Sequence, residues 1–181
     1  MQNIGRRGLL ATGGTLIVAL PGRKLLAAPE LPTARLSLIT PPRAAPEIVF
    51  QQADGTQHTL EKFRGWGMVV NFWATWCAPC VAEMASLSVL SKTLAPHDIA
   101  VMPLSSDRGG FAVVRRFYDA QKISGLPILI DPKGEAAQAF AVRGLPTTVV
   151  IDKKGMLRAK LDGGADWSDP AVAARIRELV G

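Results

Sequence analysis

Side chains that bind metal ions are scarce in this sequence. It contains two cysteines and two histidines among 181 residues. A closed structural zinc site needs four ligands, and neither His58 nor His97 follows the cysteines at a zinc-binding spacing. The sequence therefore argues against a zinc site, and it predicts neither a bound metal nor a cofactor.

A large excess of charge and a long apolar run are also missing. The net charge is +6, but the first 28 residues hold four cations and no acid, which leaves +2 for the rest. A role in nucleic-acid binding therefore has little electrostatic support. The apolar run at 8–20 has only thirteen residues, which is short for a membrane span but typical of a signal peptide.

Residues 1–28 have the pattern of an export segment. Arg6 and Arg7 precede the apolar run and resemble a twin-arginine signal. An ordinary secretion signal that happens to contain two arginines is the alternative. Leu26-Ala27-Ala28 is the best candidate cleavage site, and without cleavage the segment would tether the protein to the membrane. Both alternatives predict a domain outside the cytoplasm, in a bacterial periplasm.

The next segment, 29–46, contains five prolines, and its composition predicts a stiffened linker. The folded domain is then expected over 47–181. It begins with a β-hairpin around the turn residues 53–55. Apolar periodicity predicts further strands at 99–104, 126–131, 147–151 and 156–162, and helices at 111–121, 135–140 and 170–180.

Cys77 and Cys80 stand two residues apart, between a predicted strand at 68–73 and a predicted helix at 78–94. This pattern is typical of a dithiol redox centre. The first thiol then lies at a helix N-terminus, where free N–H groups stabilise a thiolate. Such sites lower the thiol pKa to about 3.5–7.5. A purely structural role is not indicated, because so short a loop constrains the unfolded chain very little.

Residues 71–80, Asn-Phe-Trp-Ala-Thr-Trp-Cys-Ala-Pro-Cys, followed by Glu83, resemble the active-site run of the TlpA/ResA branch of the thioredoxin superfamily. The run 142–148, Val-Arg-Gly-Leu-Pro-Thr-Thr, is similar to the family's cis-proline loop. The resemblance covers roughly 47–181. It implies a thioredoxin-like α/β fold, with a central mixed sheet flanked by helices, an N-terminal hairpin and an extra helix.

The resemblance also implies roles for individual residues. Cys77 would be the nucleophile and Cys80 the resolving thiol, and together they would form a redox-active disulfide. Pro146 would follow a cis peptide bond beside that disulfide. The expected substrate-binding surface consists of Trp76, Ala78, Pro79, Gly144, Leu145, Pro146 and Thr147.

Asn71 stands where ordinary thioredoxins carry a buried aspartate that accepts protons. Glu83 lies three residues after Cys80, so both share a helix face. A carboxyl group desolvated there would have a raised pKa and would move the Cys80 proton during exchange. The alternative is a solvated glutamate that favours the first turns of its helix.

The function that the resemblance implies is reduction of disulfides in exported client proteins. Apocytochrome c and the assembly factors of the copper site in cytochrome oxidase are the expected clients. Electrons would come from a membrane donor of the DsbD/CcdA kind, and the protein is expected to be a monomer. Three alternatives stay open: a net disulfide-forming oxidant, a peroxidase, and a non-enzymatic module that handles copper or haem.

Overall fold

A computed structural model describes residues 31–181 of the chain. The predicted export segment at 1–28 lies outside these residues. The strands are β1 Ser37–Ala44, β2 Val49–Gln52, β3 Gln57–Thr59, β4 Gly67–Trp73, β5 Ile99–Ser105, β6 Leu129–Ile130, β7 Thr147–Ile151 and β8 Met156–Asp162. The α-helices are α1 Ala78–Leu94, α2 Gly110–Gln121, α3 Glu135–Ala139 and α4 Pro170–Val180. Within residues 31–181, no helix combines the length and the apolar character needed to cross a membrane.

The strands form one mixed sheet in the order β1-β8-β7-β4-β5-β6-β2-β3. β4 lies in the interior, parallel to β5 on one side and antiparallel to β7 on the other. All seven of its residues are buried, as expected for a strand that is covered on both faces. β2 and β3 form the predicted hairpin at one edge of the sheet.

Successive side chains of β4 point to opposite faces of the sheet. Val69 and Trp73 belong to a core that includes residues of α1, α2 and α4. Phe72 belongs to a second core, which contains residues of α3 and of the hairpin. Asn71 falls between Val69 and Trp73 in this alternation, so its side chain is on the α1 side of the sheet.

The predicted fold class is confirmed, and several predicted boundaries match the structure closely. α1 spans the predicted 78–94, and α4 begins where Asp169 caps it by accepting a hydrogen bond from the Ala171 N–H at 2.8 Å. The strand predicted at 126–131 is shorter than expected and comprises only Leu129–Ile130. Pro127 has no N–H to donate to a neighbouring strand, which is consistent with the late start of β6.

The predicted linker differs most from the structure. Residues 37–44 form β1, an edge strand that pairs antiparallel with β8, so the linker prediction is wrong for this part of 29–46. Pro41 and Pro42 lie within the irregular stretch of the pairing, between Leu38 and Arg43. Proline is tolerated at a sheet edge or a bulge, where no ladder hydrogen bond is required of it. The proline content of this segment therefore excludes a central strand but is compatible with the edge strand β1.

We predict that removing β1 destabilises the domain. A chain that begins at residue 46 loses the β1–β8 hydrogen bonds, at about 1 kcal/mol each, whereas a chain that begins at residue 31 keeps them. Urea denaturation is expected to show a free energy of unfolding lower by more than about 2 kcal/mol for the shorter chain. Equal stability of the two chains would mean that 31–45 acts as a linker after all.

Candidate active site

The two cysteines lie where β4 ends and α1 begins. Cys77 is the residue that precedes α1, and its backbone is extended. Its N–H donates to the carbonyl of Ala74 at 3.1 Å, and its own carbonyl accepts the N–H of Val81 at 3.0 Å. Pro79 occupies the first turn of α1, where the missing proline N–H leaves no hydrogen bond unmade. The first sulfur is therefore held at the positive end of the α1 dipole.

Cys77 and Cys80 form the predicted disulfide, with an S–S distance of 2.13 Å. Cys80 is completely buried, whereas Cys77 is 7% exposed. Cys77 is therefore the more accessible of the two cysteines. In the described part of the chain, no group of three or more His, Cys, Asp or Glu side chains is placed to hold a metal ion.

Asp107 anchors the turn between β4 and α1, a role that the sequence did not reveal. Its Oδ2 accepts the Thr75 N–H at 2.9 Å, and its Oδ1 accepts the Thr75 hydroxyl at 2.7 Å. The Ser105 hydroxyl donates to Oδ2 at 2.7 Å. Asp107 follows β5, which is parallel to β4, and the carboxyl ends of adjacent parallel strands lie at the same edge. That topology was the available signal, because the local sequence around Asp107 indicates only a polar loop.

Glu83 is fully buried, one turn after Cys80 on α1. Asn71 Nδ2 donates to Oε1 at 2.8 Å. The Ala165 N–H and the Trp167 indole N–H both donate to Oε2 at 3.0 Å. No lysine, arginine or histidine among residues 31–181 forms a salt bridge with this carboxylate. Burial excludes the alternative of a solvated glutamate.

Burial raises the pKa of Glu83, and the hydrogen bonds from Trp167, Ala165 and Asn71 oppose that rise. The physical reason is that a low-dielectric surrounding disfavours the charged form, while N–H donors favour it. Asn71 also donates to the Thr148 hydroxyl at 2.9 Å, and its buried Oδ1 has no hydrogen-bond partner. The site thus contains an acid with a raised pKa one helical turn from Cys80 of the disulfide, and perturbed acids are typical of functional sites.

The predicted cis-proline loop, residues 142–148, lies at the end of β4 that leads to the cysteines. Thr147, the first residue of β7, pairs with Phe72 near the end of β4, so the loop before β7 lies beside the turn that carries Cys77. The Leu145–Pro146 peptide bond is cis, as predicted. The Pro146 carbonyl accepts the Gly163 N–H at 2.8 Å, and the Thr147 hydroxyl donates to the Gly144 carbonyl at 2.8 Å.

The predicted substrate-binding residues differ in their exposure. Trp76 is 71% exposed. Ala78, Pro79 and Gly144 are also exposed, and Leu145 is half-buried. Pro146 and Thr147 are buried, so they can only support the surface from beneath or contribute backbone atoms to it.

Trp167 and Ala165 were not found from the sequence. They contact Glu83 across separations of 84 and 82 residues. A tryptophan in an irregular segment is expected to be apolar packing, and a backbone N–H has no sequence signature at all. Only the folded chain shows that this connection between β8 and α4 lies against Glu83.

We predict that Glu83→Gln removes a pH-dependent part of the free energy of unfolding. Burial raises the pKa of Glu83 above its ordinary value of 4.5, so the folded chain binds this proton more tightly than the unfolded chain. The resulting stabilisation is fully present below pH 4.5 and is lost as the pH rises through the folded-state pKa. Urea denaturation across this range, in both proteins, measures the effect.

The free energy of unfolding of the wild type minus that of the variant should therefore fall as the pH rises. Other ionisable groups are common to both proteins, so this difference isolates Glu83. A difference that stays constant or grows with pH would contradict the assigned direction of the pKa shift.

Residues 41–160 of the chain match the model of the AhpC/TSA family. The thiol-disulfide oxidoreductase ResA of Bacillus thuringiensis subsp. konkukian is 32% identical over 123 residues, which cover 67% of this chain and 69% of the relative. The thioredoxin-like protein YneN of Bacillus subtilis is 34% identical over 115 residues, which cover 63% of this chain and 66% of the relative.

Solved structures support the same fold. A thiol:disulfide interchange protein of Chlorobium tepidum has a TM-score of 0.63 at 24% identity and covers 78% of this chain and 98% of its own. A secreted thiol-disulfide isomerase of Corynebacterium glutamicum has a TM-score of 0.67 at 21% identity. That alignment covers 80% of this chain and 93% of the isomerase. The predicted resemblance and enzyme class are confirmed. The chain belongs to the AhpC/TSA family and is a thioredoxin-like thiol–disulfide oxidoreductase.

Proposed function

We propose that this protein reduces disulfides of client proteins outside the cytoplasm by exchange at Cys77 and Cys80. The observation that carries the proposal is the disulfide at the N-terminus of α1, in which Cys77 is 7% exposed and Cys80 is completely buried. A helix N-terminus stabilises a thiolate on the accessible sulfur. A buried sulfur one turn later is suited to an intramolecular second step.

The reaction begins from the reduced dithiol. The Cys77 thiolate attacks one sulfur of the client disulfide, forming a mixed disulfide and releasing the other client sulfur as a thiolate, which takes a proton from solvent. The Cys80 thiolate then attacks the Cys77 sulfur, and the client leaves as a dithiol. Two electrons have passed to the client, and the Cys77–Cys80 disulfide remains.

Glu83 has a role in the second step of this scheme. Cys80 is buried, and a thiol attacks only after it loses its proton. The Glu83 carboxylate is the proposed acceptor of that proton, and it returns the proton when the disulfide is reduced again. Its raised pKa suits this task, because a base is most effective when its pKa lies near the working pH.

The proposed docking surface combines the turn before α1 with the loop before β7. Trp76, Ala78 and Pro79 supply exposed surface next to Cys77. The backbone at Gly144 and Leu145 is suited to pair with an extended client segment as an added strand. Pro146 and Thr147 would hold that backbone in place from below.

The partners and the location are also proposals. Export through residues 1–28 would deliver the domain to the periplasm, either released or tethered to the membrane. There a membrane dithiol relay of the DsbD/CcdA kind would restore the reduced state, because a periplasmic reductant needs a dedicated donor. Apocytochrome c or copper-site assembly factors of cytochrome oxidase are the proposed clients, and a monomer suffices for the scheme.

We predict different defects for the two cysteine variants. In an assay in which dithiothreitol restores the reduced protein after each turnover, Cys77→Ser should no longer catalyse the reduction of insulin disulfides, because the attacking sulfur is missing. Cys80→Ser should instead accumulate a mixed disulfide with insulin, visible on a non-reducing gel. If the mixed disulfide with insulin accumulated in Cys77→Ser and not in Cys80→Ser, Cys80 would be the attacking sulfur and Cys77 the resolving one.

The reduction potential separates a reductant from an oxidant. Members of this fold extend from about −270 mV for reductants to about −120 mV for oxidants. Equilibration of the dithiol with glutathione buffers is expected to give a value near the reducing end. A value near the oxidising end would overturn the reductase assignment and favour a protein that forms disulfides. In a separate assay, turnover of hydrogen peroxide without a disulfide client would favour the peroxidase alternative.

A further inference from the structure

Among the described residues, the connection between β8 and α4 provides two of the three hydrogen bonds to the Glu83 carboxylate. We call residues 163–167 of this connection the acid loop. We propose that Trp167 is a positioning residue: its indole N–H orients the Glu83 carboxyl group and sets how readily that group exchanges a proton with Cys80. The inference rests on the proton-transfer role of Glu83 under the proposed function.

The geometry assigns separate partners to the two carboxylate oxygens. Oε2 accepts from the indole of Trp167 and the N–H of Ala165, both at 3.0 Å, while Oε1 accepts from Asn71 at 2.8 Å. The plane of the carboxyl group is thus fixed between the acid loop and β4. Hydrogen bonds to an ionised group are stronger than neutral ones, so each donor favours the carboxylate over the acid.

Few other titratable groups lie near the Glu83 carboxylate. On α1 its titratable neighbours are the two sulfurs, once they are reduced. Asn71 of β4, Thr148 of β7 and Trp167 are neutral donors or acceptors. Asp166 of the acid loop turns away, because its Oδ1 accepts both the N–H and the hydroxyl of Ser168. With no cation in salt-bridge contact, N–H donors have to supply the electrostatic stabilisation.

The acid loop is itself held from two sides. The Asp166 N–H donates to the Pro32 carbonyl at 2.8 Å, and the Ala34 N–H donates to the Asp166 carbonyl at 3.2 Å. On its other side, a Cβ placed on Gly164 would lie 3.3 Å from the carbonyl oxygen of Pro79 in α1. Trp167 is 1% exposed. These contacts keep the indole donor in a fixed place relative to α1, as a positioning role requires.

The test replaces Trp167 by Phe, which keeps an aromatic ring but removes the N–H. The titration of the Glu83 carboxyl group is followed in the oxidised full-length protein by ¹³C NMR, with Glu83→Gln to assign its resonance. Loss of a donor to the charged form should shift the titration midpoint upward. In the reduced protein, the pH profile of mixed-disulfide resolution should move in the same direction.

Trp73→Phe is the matched control. Trp73 is also fully buried, but its indole N–H has no hydrogen-bond partner in the described structure. The control should leave the Glu83 midpoint where it is in the wild type. Equal shifts in both variants, or no shift in Trp167→Phe, would overturn the proposal.

A measurement on the wild type covers the case in which Trp167→Phe does not fold. The indole N–H resonance of Trp167 should move with the same midpoint as the Glu83 carboxyl group, while that of Trp73 should not. A Trp167 indole resonance whose chemical shift does not change as Glu83 titrates would overturn the proposal. Neither titration needs a client, so failure of insulin reduction with normal titrations would refute the proposed function and leave the hydrogen-bond role intact.

Discussion

The turn from Trp73 to Ala78 determines where both sulfurs lie. β4 is buried along its whole length, so the end of this strand has a fixed position, and four residues separate it from the start of α1. Asp107 ties Thr75 to the end of β5, which limits the freedom of the turn itself. The N-terminus of α1, with its unpaired N–H groups, therefore begins at a cysteine that the rest of the fold holds in place. The chemistry proposed for Cys77 depends on this placement.

Glu83 shows how the fold manages a buried acid. An unpaired carboxylate costs several kcal/mol to bury, and a lysine or arginine beside it would lower its pKa and make it a poor proton acceptor near neutral pH. Here N–H donors from β4 and the acid loop take the place of a cation. They offset part of the burial cost, yet the pKa of Glu83 remains raised, which is the direction that the proposed proton exchange with Cys80 requires.

Much of this arrangement was predictable from the sequence, because local signals determine it. Apolar runs marked β4, β7 and β8, and the cysteine spacing with Pro79 marked the start of α1. Contacts between distant segments were not predictable. Trp167 reaches Glu83 across 84 residues, and nothing in its local sequence distinguishes it from apolar packing. The misread strand β1 has the same cause, since its partner β8 follows more than 100 residues later and the prolines dominate its local signal.

Alkylation of the reduced protein as a function of pH tests the central claim most directly. In Cys80→Ser, the rate of reaction of Cys77 with iodoacetamide follows the fraction of thiolate, free of interference from a second sulfur. Placement at the α1 N-terminus predicts a midpoint below about 7.5, well under the value of about 8.5 for an unperturbed cysteine. A midpoint at or above the unperturbed value would mean that the helix does not activate this sulfur, and the account of exchange at Cys77 would fail.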